Sequence, residues 1–185
     1  MASLGHVAVG LAAARAYGVG EPDEDRDTRI KRMVVFGVLS LLPDADVVGF
    51  RFGIPYGSPF GHRGFTHSMV VALVVSFAGA WVASRRASPP ERWRRARKLF
   101  VYLLFVVGSH GLLDMLTDGG KGVATFWPFS SERLFFPWRP LPVAPIGARI
   151  LSPRGLRVMA GELLVFAPFW IYALVPRSRT SSLPK

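Results

Sequence analysis

The chain has no cysteine, four histidines and only 12 acidic residues in a length of 185. Without thiols there is no disulfide framework of the kind that staples small secreted modules. Any metal site is likewise confined to nitrogen and oxygen ligands. Charge is scarce, at 19% of residues, against 50% hydrophobic residues and a mean hydropathy of +0.31. A soluble domain of this length carries more charge and is not hydrophobic on average. That balance also excludes an intrinsically disordered chain and a coiled coil. No internal repeat or low-complexity tract is visible. No Lys or Arg precedes the first apolar stretch, which already carries His6, so the start does not read as a secretory signal. These absences leave a small polytopic membrane protein: a single membrane-embedded domain over residues 1–176, then a basic tail at 177–185.

Apolar segments supply the helices. Leu99–Thr117 is about the length needed to cross a hydrocarbon core, and His67–Ser84 carries no charge after its leading histidine. Val158–Val175 is interrupted by Glu162 and Pro168. Two weaker segments, Leu4–Val19 and Arg32–Leu42, read as helices packed on the bundle. The expected fold is therefore all-α, a membrane bundle of four to five helices. The formal net charge of +11 is unevenly spread. Residues 21–32, 85–98 and 176–185 hold 14 Lys/Arg in 36 positions, whereas 47–66 and 118–157 hold eight in 60. By the positive-inside rule the denser set faces the cytoplasm. The basic segment 85–98 is then a topology signal with anionic membrane lipids as neighbours, and no nucleic-acid partner is expected.

All four histidines, His6, His62, His67 and His110, lie in or at the edge of apolar segments, as do Asp44, Asp46, Asp114 and Glu162. Ionisable groups at membrane depth are costly and by default mark paired or functional sites. The orientation set by the basic loops places every one of them in the outer half of the bundle. His110 and Asp114 are four residues apart and project from one helical face. Asp44 and Asp46 follow Pro43, which ends or kinks a helix and leaves two carboxylates at a turn. His62 and His67 flank a glycine-containing turn, with Thr66 and Ser68 able to cap the helix that follows. Neutral imidazoles with carboxylates are the ligand set of Zn²⁺, or of Mn²⁺ and Fe²⁺. Each residue has a plainer reading as well: a histidine hydrogen-bonded in the packing, aspartates capping a helix, a glutamate favoured by a helix dipole. Taken together they point to a polar metal site at one membrane face.

Four elements in order carry a resemblance. They are Gly5-His6, Leu41-Leu42-Pro43-Asp44-Ala45-Asp46, Gly61-His62-Arg63-Gly64-Phe65-Thr66-His67-Ser68 and the run His110 to Thr117. Their order and spacing resemble the YdjM-type family of membrane-bound metal-dependent hydrolases, and Trp127-Pro128 fits the same pattern. That family is in turn similar to zinc-dependent phospholipase C and the single-strand-specific zinc nucleases, all-α proteins with zinc held by His, Asp and Glu. The resemblance implies a multi-pass hydrolase of the bacterial plasma membrane that cleaves a phosphoester, phospholipid-like, with a metal-activated water. It implies one or two divalent ions, zinc first, on His6, Asp44, Asp46, His62, His67, His110, Asp114 and Glu162. Asp44 or Asp46 would bridge metals and act as general base. Arg63 would either clamp a phosphate or serve as a structural ion-pair partner. Thr66, Thr117 and Asp118 would orient imidazoles. The same constellation also suits an ion or proton transporter, or a metal-stabilised membrane protein without turnover.

Overall fold

Six α-helices carry the protein in a computed structural model that describes residues 3–20 and 24–175. The basic tail expected at 177–185 lies outside the described residues. The first helix, α1 (Ser3–Tyr17), is built of small residues, with Gly5, Ala8, Gly10, Ala13 and Ala14 buried along it. Small side chains let neighbouring backbones approach closely. At Gly10 the approach to α2 (Arg26–Ser40) is so close that a Cβ would lie 2.8 Å from the Phe36 carbonyl oxygen and 2.9 Å from Ser40 Cβ. The expected second helix began at Arg32, but α2 starts two turns earlier. Asp25 caps it there by accepting the Thr28 N–H at 2.9 Å, so the polar stretch before the apolar run is already helical.

Pro43 ends that helix. The chain continues as a 3₁₀ segment, Leu42–Phe52, bent 48° away from α2. A short 3₁₀ turn at Phe65–His67 leads into α3 (Met69–Ser84), whose first turn is capped by Ser68 through the Val71 N–H. Next, α4 (Pro89–Met115) runs for 27 residues, about 40 Å, beginning at a Pro-Pro pair suited to a first turn. The basic segment expected as a loop at 85–98 is therefore mostly the start of α4. The final apolar stretch is two helices, α5 (Pro153–Val165) and α6 (Ala167–Leu174), meeting at 64°. Pro168 has no N–H to give the Leu164 carbonyl and crowds it, so one straight helix cannot form.

Helices α3 and α4 pack along each other, α1 lies against α2, α4 and α6, and Leu99, Leu103 and Val106 meet Ala13, Tyr17 and Phe36 in the main core. Among the described residues there is no strand. The coil between α4 and α5 folds over one end of the helices, held by isolated bridges at Thr117–Leu141 and Val123–Leu134. Among the described residues only α4 is long and apolar enough to cross a membrane by itself, and up to three spans result if each bent pair counts as one. The outer faces are apolar: Val34 and Val38 on α2, Val74 and Phe77 on α3, Val101 and Phe105 on α4, Leu164 and Ile171 on α5 and α6 are all exposed. That is the exterior required when the solvent is hydrocarbon.

Candidate metal centre

The bends bring polar residues from three segments to one place. Pro43 turns Asp44 and Asp46 inward on the 3₁₀ segment. The tight turn at 61–68 carries His62, Arg63 and His67, and α4 presents His110 and Asp114 one turn apart. The side chains of His67, His110 and Asp114 are buried, and Asp44 remains partly exposed. Donor atoms of Asp44, His67, His110 and Asp114 all lie within 4.8 Å of one another.

Hydrogen bonding fixes which ring nitrogen faces the cluster. His110 Nδ1 lies 2.7 Å from the Ser40 carbonyl oxygen, which can only accept, so Nδ1 carries the proton and Nε2 presents a lone pair. Thr66 donates its hydroxyl hydrogen to Asp46 at 2.6 Å, leaving its oxygen to accept from His67 Nδ1 at 3.0 Å. In a neutral ring His67 Nε2 then presents a lone pair too. Neither Nε2 has a hydrogen-bond partner. Asp44 Oδ1 is 3.3 Å from His110 Nε2 and 3.5 Å from His67 Nε2, and Asp114 Oδ2 is 3.5 Å from His67 Nε2 and 3.9 Å from His110 Nε2. With both rings neutral, two lone pairs and two carboxylates face one another, and a cation held there would satisfy all four. The separations suit one: bonds of about 2.1 Å to a tetrahedral zinc ion place ligand atoms roughly 3.4 Å apart.

A second group, Asp46, His62 and His67, is also close enough to share an ion. It fits less well. Asp46 Oδ1 accepts from His62 Nδ1 at 2.7 Å, and Asp46 Oδ2 takes the Thr66 hydroxyl and the Arg63 backbone N–H and lies 3.3 Å from His67 Nδ1. Both Nδ1 atoms act as donors and keep no lone pair for a metal. Asp46 instead orients the two histidines, as carboxylates behind metal-bound imidazoles do.

Arg63 had two readings, and the structure shows the ion pair. Its buried guanidinium places Nε 3.1 Å from Asp114 Oδ2 and donates through Nη2 to Asp114 Oδ1 at 3.2 Å. Nη1 is occupied by the Thr117 hydroxyl and the Gly119 carbonyl, both at 3.0 Å. Gly120, at φ 91°, must lack a side chain here, because a Cβ would come within 2.8 Å of Arg63 Nη1 and 2.9 Å of the Tyr56 hydroxyl. His6 and Glu162 stand outside both groups. The His6 ring stacks on His110 with centroids 3.6 Å apart, and its Nε2 is 3.7 Å from Asp114 Oδ1. Glu162 Oε2 accepts the Gly5 N–H at 3.0 Å and so satisfies one of the free N–H groups that open α1. Asp118, expected to orient an imidazole, instead accepts the Val143 N–H at 2.7 Å and ties down the coil above the centre.

Above the cluster opens a cavity of about 600 Å³. Asp44, His62, Arg63 and Asp114 form its floor, and Tyr56, Val47, Val143, Ile146, Arg149 and Ile150 line the rest. Burial pushes the Tyr56 phenol above the ordinary tyrosine range, so it is a neutral donor. Sequence reasoning missed Ser40, which acts through a backbone carbonyl and leaves no mark in residue type. It also missed Tyr56, and it counted Arg149 only as a loop charge.

Fold and site together define an all-helical membrane protein with a buried His/Asp cluster able to hold a metal ion, set beneath a cavity at one end of its helices. The chain belongs to the YdjM family, whose model, described as YdjM inner membrane protein, matches residues 1–180. It is 45% identical over 130 residues to a protein of Escherichia coli (strain K12) named inner membrane protein YbcI, covering 69% of this chain and 71% of that one. No solved structure matches it.

Proposed function

We propose that this protein is a multi-pass inner-membrane hydrolase that holds one divalent ion, zinc by preference, and cleaves a phosphoester bond in a lipid-like substrate. The observation that carries this reading is the convergence of two imidazole Nε2 atoms without hydrogen-bond partners on two carboxylates, Asp44 and Asp114, that line an accessible cavity. Asp44, His67, His110 and Asp114 hold the ion. A bound divalent ion supplies Lewis acidity to a phosphoryl oxygen and acidifies a water. Ser40 and Thr66 fix the two ligating imidazoles, and Arg63 fixes Asp114 through its two-pronged contact. Asp46 holds the Nδ1–H of His62, which leaves His62 Nε2 to take a proton from the attacking water or return one to the leaving group. His6 walls the ion site against α1, and Glu162 fixes the turn that carries His6.

In this topology α3 and α4 cross the membrane in opposite directions, the pairs α2 with Leu42–Phe52 and α5 with α6 are bent spans, and the basic start of α4 lies in the cytoplasm. The centre then faces outward, where an amphiphile enters from the outer leaflet. The test is phosphodiester hydrolysis by purified protein in detergent micelles, using bis(p-nitrophenyl) phosphate and phosphatidylglycerol. Activity is expected to vanish on chelation, return with zinc, and be absent from Asp44→Asn. Zinc-loaded wild type that leaves both substrates intact would refute the hydrolase reading.

A further inference from the structure

The cavity over the centre has two unlike walls. One is the polar floor. The other is the coil 143–150, where Val143, Ile146 and Ile150 surround a single cation, Arg149. Arg149 sits on the 3₁₀ turn Gly147–Leu151, and its guanidinium makes no hydrogen bond or ion pair among the described residues. The coil is held in place on both sides: Asp118 accepts the Val143 N–H, and the Arg149 carbonyl accepts the Ser152 N–H at 3.0 Å. Two neighbouring cations are committed elsewhere. Arg63 is spent on Asp114, Thr117 and Gly119, and Arg133 on the carbonyls of Tyr56, Ser58, His62 and Gly122. With a divalent ion in place, the charges of Asp44, Asp46, Asp114 and Arg63 balance it, so the floor does not repel an anion.

We propose that Arg149 recognises the phosphate of an amphiphilic phosphoester, held between it and the Asp/His centre, with the apolar part of the substrate lying on Val143, Ile146 and Ile150. The proposal deepens the hydrolase reading and rests on it for the ion. The Tyr56 hydroxyl offers a second, neutral donor in the same cavity. A free phosphate has no use for the apolar wall, where Ile146 is 42% exposed. An acyl or alkyl chain beside the phosphate buries that surface.

The experiment measures binding in detergent micelles by native mass spectrometry, with two probes: lysophosphatidic acid, and glycerol 3-phosphate as its headgroup alone. Lysophosphatidic acid is expected to bind more tightly. Arg149→Ala is expected to weaken both probes about tenfold, the loss of a charge-assisted hydrogen bond, with metal content unchanged. Arg149→Lys restores part of the affinity, and Ile146→Ser weakens only the lipid. Unchanged affinity of both probes in Arg149→Ala overturns the proposal. Equal affinity of the two probes, insensitive to Ile146→Ser, overturns the lipid as source of the phosphate. Arg149-dependent binding without hydrolysis by the wild type upholds recognition and removes the hydrolase. Hydrolysis and binding that both ignore Arg149 do the reverse.

Discussion

Replacing Thr66 with valine keeps the shape of the side chain and removes one hydroxyl with two tasks. That hydroxyl donates to Asp46 at 2.6 Å and accepts from His67 Nδ1 at 3.0 Å. Without it, Asp46 Oδ2, already 3.3 Å from His67 Nδ1, can close on the ring and recover part of the loss. A hydrogen bond to a charged group is worth about 1.5–3 kcal/mol, and partial recovery leaves a deficit near 1.4 kcal/mol, or about tenfold. That falls within the roughly 10–100-fold cost seen when a partner behind a metal ligand is removed. Thr66→Val is therefore expected to weaken zinc affinity about tenfold, and Thr66→Ser to restore it. Competition with a chromophoric chelator in detergent measures the affinity, and thermal melting of metal-free protein checks the fold. Zinc affinity unchanged beside a lowered melting temperature would refute the reasoning, because the hydroxyl would then serve folding alone.

Other perturbations follow from the same contacts. Arg63→Lys loses the bonds to Thr117 and Gly119 and one prong on Asp114, so metal affinity and thermal stability should fall together; a loss of turnover with both intact would restore the phosphate clamp. Glu162→Gln keeps an oxygen for the Gly5 N–H and should retain its metal, whereas a ligand at this position would lose it on elemental analysis. Gly10→Ala forces α1 from α2 and is expected to cost about 1–3 kcal/mol in detergent unfolding, with weaker metal binding because the displaced Ser40 carbonyl orients His110. Single cysteines at Ser88 and Ser130 should react with an impermeant maleimide from opposite sides of the membrane, and same-side labelling would overturn the topology.

Hydropathy located the apolar half of α4, and Ser68 marked the start of α3, because both signals are local. It misplaced the starts of α2 and α4, where the Asp25 cap and the Pro89-Pro90 pair open helices inside charged sequence. A rule that equates helix with membrane span cannot see those turns. Pro168 was visible as an interruption, yet the 64° bend it permits depends on where α6 finds α1 to pack against. In the centre, residue types carried most of the information, since buried titratable groups are rare in apolar segments and stand out. Their division of labour was not legible. The Ser40 carbonyl and the Thr66 hydroxyl set the protons on His110 and His67, and those contacts exist only after the Pro43 bend. Arg63 has two chemically equal uses until Asp114 is found beside it, and Glu162, on α5, accepts the Gly5 N–H because the first turn of α1 needs an acceptor.

The most direct test of the centre is metal content by elemental analysis of detergent-purified protein, wild type beside His110→Ala and Asp114→Ala, each checked for folding by thermal melting. One zinc or other divalent ion per chain in the wild type, absent from both folded variants, is the expected result. A well-folded wild type that carries no metal and refuses added zinc would contradict it, as would full metal content in both variants.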